Sequence, residues 1–355
     1  MSEKIGIIGA GSWGTAIAAS LSRNGHKVML WSRSCDVCNS INKEHVNKKY
    51  LPNHILPQSV SASSDMKEVC KDAAMLFLAS PSIYLIETVK KLMEIPPFSN
   101  NDELPYPAIS VLTKGFIPDV NGKPQFIIDS LEKILPDFYK DHLVYVAGPS
   151  HGEEVAAGKL TGLIAASKNA MSSIRCREIL KSRSLLVYSS LDIIGVQVCA
   201  AAKNVMAVAF GILEALTEIY DFFGDNTESL LMAAGLNEIQ VIGKTMGATH
   251  PETFTSISGV GDLDVTCRSK YGRNRRFGRE IITINLLDKF INLEDLILNI
   301  STVGYLPEGI VACKYINTLA KKHNLKLPIC SGLFKILNKE LQPLQFIENL
   351  LNGVK

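Results

Sequence analysis

The stretch IGIIGAGSWGTAIAASLSRNG, residues 5–25, decides the fold. An apolar run ends in Gly9, Gly11 and Gly14, a G-x-G-x-x-G spacing, and a helical Ala-rich pattern follows. A strand entering such a turn and a helix leaving it open a βαβ unit that binds a dinucleotide. Gly9 permits the tight turn, Gly11 lets the backbone approach a pyrophosphate, and Gly14 allows close packing of helix on strand. The helix N-terminus then offers its unpaired N–H groups to the phosphates. An acid about 20 residues further on would bind the ribose hydroxyl of NAD. Here the second strand ends at Leu30-Trp31-Ser32-Arg33-Ser34, with no acid before Asp36. Arg33 suits adenine stacking or a 2′-phosphate, or else stands solvated at the surface. The cofactor is therefore NAD or NADP, with the preference open.

Outward from this turn, the first 190 residues alternate strand-like apolar runs with helical patterns. The runs are 4–10, 27–32, 74–80, 108–113, 142–148, 162–167 and 184–190, with helices near 12–24, 82–93, 126–135 and 170–181. Short apolar runs alternating with helices predict an α/β Rossmann domain, a doubly wound and mostly parallel sheet. The Pro- and Asn-rich segment 94–107 reads as an exposed loop. After residue 190 strand-like runs nearly vanish, and long apolar helices are expected at 192–220, 227–247, 307–323 and 331–338. The expected division is a dinucleotide-binding domain, 1–190, and an all-α substrate and catalytic domain, 191–355.

The net charge of +2 argues against a nucleic-acid partner, so any anion site must be local. The N-terminus is not a secretory signal, and no uninterrupted apolar stretch reaches the roughly 20 residues of a membrane span. Eight cysteines include one close pair, Cys35 and Cys38, which reads better as reduced thiols than as a metal site. No metal is expected.

Three polar groups stand where a core or a strand end is expected. Lys203 and Asn204 interrupt the apolar run CAAAKNVMAVAF, 199–210. A buried ammonium needs a partner, unless its head reaches water along its own stem. A ketone-reducing dehydrogenase has use for such a lysine, which steadies a developing alkoxide and then protonates it. Lys114 in LTKGF and the turn VAGPSHGEEVA, 146–156, lie at strand ends, where ligands of such sheets gather. The densest polar patch, 257–280, contains Gly-Arg-Asn-Arg-Arg, which fits a phosphate or a solvated basic loop.

With these motifs in order, the chain resembles the bacterial NAD(P)-dependent sn-glycerol-3-phosphate dehydrogenases over nearly its whole length. The motifs are GAGSWGTA (9–16), KKYLPN (48–53), LTKGF (112–116), GPSHGEEVA (148–156), AAKNVMA (201–207), GDLDVTC (261–267), GRNRRFG (272–278) and PEG (307–309). The resemblance implies interconversion of dihydroxyacetone phosphate and sn-glycerol 3-phosphate, chiefly for phospholipid synthesis, by a cytoplasmic homodimer. It implies Lys203 as general acid/base, Asp262 orienting it and binding substrate, and Lys114 touching both substrate and nicotinamide. Gly148, Ser150, Asn204, Gly272, Arg273 and Asn274 would hold substrate. Besides the three turn glycines, Ser12, Trp13, Arg33, Gly152, Arg273 and Glu308 would meet the nucleotide. Two departures stand out. Tyr271-Gly272 replaces a serine before Arg273-Asn274, so a Gly272 N–H is the expected substitute donor, and Leu306-Pro307 precede Glu308-Gly309. A β-hydroxyacid dehydrogenase is disfavoured, because Asn204 follows Lys203 directly and position 207 is Ala. A binding protein without catalysis is disfavoured by the joint presence of Lys114, Lys203 and Asp262.

Overall fold

The computed structural model describes residues 2–99, 106–119 and 122–352. These divide into two compact units: one runs to Ile117 and resumes over Phe126–Ile193, and the other comprises Pro118–Gln125 and the chain from Ile194 onward. The segment expected as a loop at 94–107 is described only in part, since residues 100–105 lie outside the described residues.

The first unit is built on an eight-stranded sheet. Its strands are β1 (Lys4–Ile8), β2 (Lys27–Trp31), β3 (Val60–Ser63), β4 (Met75–Leu78), β5 (Ala108–Val111), β6 (Val144–Ala147), β7 (Thr161–Ala166) and β8 (Leu185–Ser190). Their order is β8-β7-β6-β5-β4-β1-β2-β3. All neighbours pair in parallel except β6 and β7, where Tyr145 faces Ala166 across an antiparallel ladder. Every residue of β4 (MLFL) and β6 (VYVA) is buried, as strands covered on both faces require. Each apolar run read from the sequence contains a strand. The sequence reading missed β3, whose VSAS carries one bulky apolar residue, and the largely polar helix Cys35–Glu44. The expected helix at 126–135 is shorter, Ile127–Glu132.

Helix α1 (Ser12–Arg23) leaves the end of β1. The chain then builds β2 and β3 on one side of β1, returns, and builds β4, β5 and β6 on the other. This reversal between β1 and β4 creates a crevice at the carboxyl ends of the strands, where such sheets bind ligands.

The second unit is helical, with helices that include α2 (Ile193–Thr217), α3 (Asp225–Met246), α4 (Asp262–Arg268), α5 (Arg273–Thr283), α6 (Glu308–His323) and α7 (Pro328–Leu337). The apolar character of α2 is interrupted by Gln197, Lys203 and Asn204. Its 25 residues are long and apolar enough to cross a membrane, but its most apolar window is 94% buried inside the protein. It is a core helix. Small residues let its neighbours come close: a Cβ on Gly278 of α5 would lie 2.1 Å from the Val208 carbonyl oxygen, and one on Gly309 of α6 would lie 2.4 Å from that of Asn204.

Glu238 of α3 is buried and caps α7 from outside, accepting hydrogen bonds from the Ile329 and Cys330 N–H groups. Burial pushes its carboxyl above the ordinary value, although the two donors pull it down. A carboxyl raised on folding stabilises fully below its unfolded value and loses that contribution as pH rises through the folded one. The stability advantage of wild type over Glu238→Gln should therefore shrink as pH rises above the ordinary carboxylate range, read by urea unfolding. A difference that grows with that rise would contradict the assignment.

Candidate functional site

Within the first unit, the residues nominated from sequence gather at the carboxyl ends of the central strands. Gly9 sits at φ +128°, its N–H donating to the Trp31 carbonyl at 3.2 Å, and a Cβ there would meet the Ala79 backbone at 2.8 Å. A Cβ on Gly14 would lie 2.2 Å from the Gly9 oxygen, so strand and helix touch through bare backbone. Nothing lies within 4 Å of a Cβ on Gly11, so the turn is open on that flank. Helix α1 begins without a side-chain cap and without an acid in its first turn. Its first N–H groups have no intrahelical acceptor by geometry. An open glycine turn, uncapped and uncharged, fits a dinucleotide pyrophosphate. The indole Nε1 of Trp13 is buried without a hydrogen-bond partner among the described residues. Gly152, at the start of the short helix Gly152–Ala156, presses on Ser12, whose backbone a Cβ would meet at 3.1 Å. Arg33 is exposed and lies 5.5 Å above the Tyr84 ring.

Lys114, just past β5, and Ser150, just past β6, converge on one atom. Lys114 Nζ donates to the Gly148 carbonyl at 3.2 Å, and Ser150 Oγ donates to the same oxygen at 2.9 Å. Gly148 itself is at φ +144°, and a Cβ on it would lie 2.6 Å from the Gly162 oxygen. The turn thus depends on glycine.

In the second unit, Lys203 and Asp262 are both buried, at 5% and 0% exposure, and form an ion pair through Lys203 Nζ and Asp262 Oδ1. Asp262 opens α4, directly after the π-helical turn Ile257–Gly261. Thr266, one turn on, donates its hydroxyl to the Asp262 carbonyl at 2.6 Å, a contact the sequence reading did not anticipate. Beside the pair runs an amide chain. Asn274 Nδ2 donates to Asn204 Oδ1 at 2.9 Å, while Asn274 Oδ1 accepts from the Gly309 N–H at 2.9 Å. Asn204 Nδ2 in turn donates to the Ala200 carbonyl at 3.4 Å. Helices α2, α5 and α6 are tied together at this point, and Glu308 stands at the head of α6 in its first turn.

The basic loop separates by function. Arg275 and Arg279 pair with Glu214, Arg279 also with Glu218, and Arg276 with Glu280. Arg273 is exposed and has no hydrogen bond or ion pair with any described residue. It is the one arginine of the four in this stretch with no charged partner among the described residues. One expectation is corrected here. Gly272 N–H donates to the Ser269 carbonyl at 3.0 Å, so the backbone already engages the donor expected to replace the missing serine. Burial pushes the nearby Cys267 thiol well above its usual range, which leaves it protonated and unfit as a nucleophile. No cluster of three or more potential metal ligands occurs among the described residues.

Comparison with known proteins identifies the family. The family profile for the NAD-dependent glycerol-3-phosphate dehydrogenase N-terminus matches residues 4–173, and that for the C-terminus matches residues 192–348. A glycerol-3-phosphate dehydrogenase (NAD(P)+) of Treponema denticola is 76% identical over 354 residues, 99% of each chain. That of Bacillus subtilis is 36% identical over 336 residues, 94% of this chain and 90% of its own. The solved structure of glycerol-3-phosphate dehydrogenase from Coxiella burnetii superposes with a TM-score of 0.82 at 30% identity, covering 99% of each chain.

The Asn204–Asn274–Gly309 chain makes the site sensitive to one methyl group. Gly309→Ala would push α6 off α2 and stretch the Gly309–Asn274 bond, costing about 1–3 kcal/mol. The expected result is a lower melting temperature together with lower activity, read by thermal unfolding and by turnover. An unaltered melting temperature would show that the helices have room to spare.

Proposed function

The chain belongs to the NAD-dependent glycerol-3-phosphate dehydrogenase family, and from that premise we propose how its residues divide the work. The reaction is the NAD(P)-dependent interconversion of dihydroxyacetone phosphate and sn-glycerol 3-phosphate. When bound, the reduced nicotinamide supplies a hydride to the carbonyl carbon of the ketone.

Lys203 is the general acid/base. Its ammonium steadies the oxygen as negative charge develops there, then transfers a proton to it; in the reverse direction the neutral amine takes that proton back. Asp262 aims the ammonium through the buried ion pair and binds substrate. Lys114 meets substrate and nicotinamide, while Gly148, Ser150, Asn204 and Asn274 shape the substrate's seat. Arg273 takes the phosphate ester through its unoccupied guanidinium fork. Gly9, Gly11 and Gly14 cradle the pyrophosphate, joined by Ser12, Trp13, Arg33, Gly152 and Glu308 at the nucleotide. On this reading residues 1–190 are the dinucleotide-binding domain and 191–355 the substrate and catalytic domain. The enzyme acts in the cytoplasm as a homodimer and supplies the glycerol backbone of phospholipids.

The observation that carries the catalytic assignment is the Lys203–Asp262 pair. A buried ion pair is no net gain in stability over apolar packing, so its retention in an apolar helix favours a chemical use. Lys203→Ala should cut turnover by roughly 10²–10⁴-fold with NADH binding nearly unchanged. Turnover near wild type would remove Lys203 from the mechanism. Arg273→Ala should raise the KM for dihydroxyacetone phosphate about tenfold or more, since a charge-assisted contact contributes ~1.5–3 kcal/mol. Because Arg273 is exposed and unpaired, its loss strands no protein partner, and an unchanged KM would return the loop to a solvated surface role. The founding assay is NADH and NADPH oxidation with dihydroxyacetone phosphate against unphosphorylated dihydroxyacetone. Fast oxidation is expected only with the phosphate ester.

A further inference from the structure

We infer that Asn47 is a positioning residue for the dinucleotide turn, the side chain that aims the Gly11 N–H at the cofactor's pyrophosphate. The inference rests on the cofactor site described above. The Tyr-Leu-Pro motif at 50–52 has no part in the chemistry proposed so far, yet the hairpin that carries it is fastened to the glycine-rich turn. Residues Val46–Asn47 pair antiparallel with Leu51–Ile55, Asn47 opposite Leu51. Leu51 is buried in a small apolar cluster with Ala16, Val155 and Ala156, and Trp13 packs against it.

Asn47 is wholly buried. Its Nδ2 donates to the Ala10 carbonyl and to Thr15 Oγ1, both at 2.8 Å, and its Oδ1 accepts from the Tyr50 N–H at 3.2 Å. Thr15 Oγ1 passes its own proton toward the same Ala10 oxygen, at 3.5 Å. The partners fix the orientation of the amide. Reversed, its oxygen would face the Ala10 carbonyl oxygen and its NH₂ would face the Tyr50 N–H donor.

Ala10 is the residue between the first two glycines of the turn. In a planar trans peptide the C=O and the following N–H point in opposite directions. Drawing the Ala10 carbonyl inward onto Asn47 therefore turns the Gly11 N–H outward. That N–H has no acceptor among the described residues, and the flank of Gly11 is open. Gly11 was read from the sequence as the point where backbone meets pyrophosphate. Asn47 supplies the fixed orientation that makes its N–H a ready donor rather than one that must be ordered on binding. An aspartate of the same shape cannot do this, because a carboxylate only accepts and would face the Ala10 oxygen.

The test compares Asn47→Asp, Thr15→Val and Thr15→Ser with wild type. It reads the Kd for NADH by fluorescence titration, the KM for dihydroxyacetone phosphate at saturating NADH, and the melting temperature of the free protein. Asn47→Asp should weaken NADH roughly tenfold or more while the substrate KM stays within about twofold. Thr15→Val, which removes one of the two acceptors, should weaken NADH by roughly two- to fivefold, and Thr15→Ser should restore it. A folded Asn47→Asp that binds NADH as wild type does would overturn the inference. So would a rise of NADH Kd and substrate KM in equal proportion, which marks general loosening. Should Asn47→Asp not fold, Thr15→Val decides: an unchanged NADH Kd overturns the inference and the graded loss supports it. Failure of wild type to bind NADH would sink the cofactor site itself, a separate result.

Discussion

One buried charge pair constrains the helical unit. Lys203 and Asp262 are almost free of solvent, and each ion gave up several kcal/mol of hydration to be there. Breaking such a pair by removing one member is costly, since it takes a counter-charge away from a buried ion. The helices around them must therefore be held in register. The Asn204–Asn274–Gly309 chain and the contacts at Gly278 and Gly309 supply that register from two neighbours of α2, the helices α5 and α6. On the role proposed for Lys203, packing precision here has a chemical purpose, because a proton donor must keep its place within a fraction of an ångström to be useful.

The sheet unit follows the same logic by different means. On the proposed reading its working atoms are main-chain groups at strand ends, where glycine removes the side chains that would cover them. Gly9, Gly14 and Gly148 meet other backbone so closely that a methyl group would collide. Lys114 and Ser150 share a single carbonyl, so both are pre-oriented by the turn they belong to. Backbone exposed in this manner suits a ligand rich in phosphate oxygens.

Much of this was legible in the residues. The spacing of Gly9, Gly11 and Gly14 after an apolar run marks the turn, and apolar runs of four to eight residues mark most strands, because both signals are local. The strand Val60–Ser63 was not legible, since an alternation of four residues with a single bulky apolar side chain is too short to read as a strand. The lysine in CAAAKNVMAVAF announced itself as an anomaly, but its partner lies 59 residues away and only folding brings them together. The basic loop misled in a specific respect. Four arginines look alike in sequence, and only the positions of Glu214, Glu218 and Glu280 distinguish the three that brace helices from Arg273. Asn47 was invisible because a single asparagine before a turn has no period and no motif of its own.

The length and composition of α2 have a consequence at the ribosome. A helix of 25 residues with this hydropathy is, before its neighbours exist to cover it, a segment that translocation machinery can mistake for a membrane anchor. Lys203 and Asn204 fall near its midpoint, where an inserted ammonium would lie at the centre of the bilayer. Such a residue there costs about 2.5–3.5 kcal/mol on insertion scales. The side chain assigned to proton transfer in the finished protein thus also disfavours the wrong solvent during synthesis. A variant that fills this position with an apolar residue gives up both protections together.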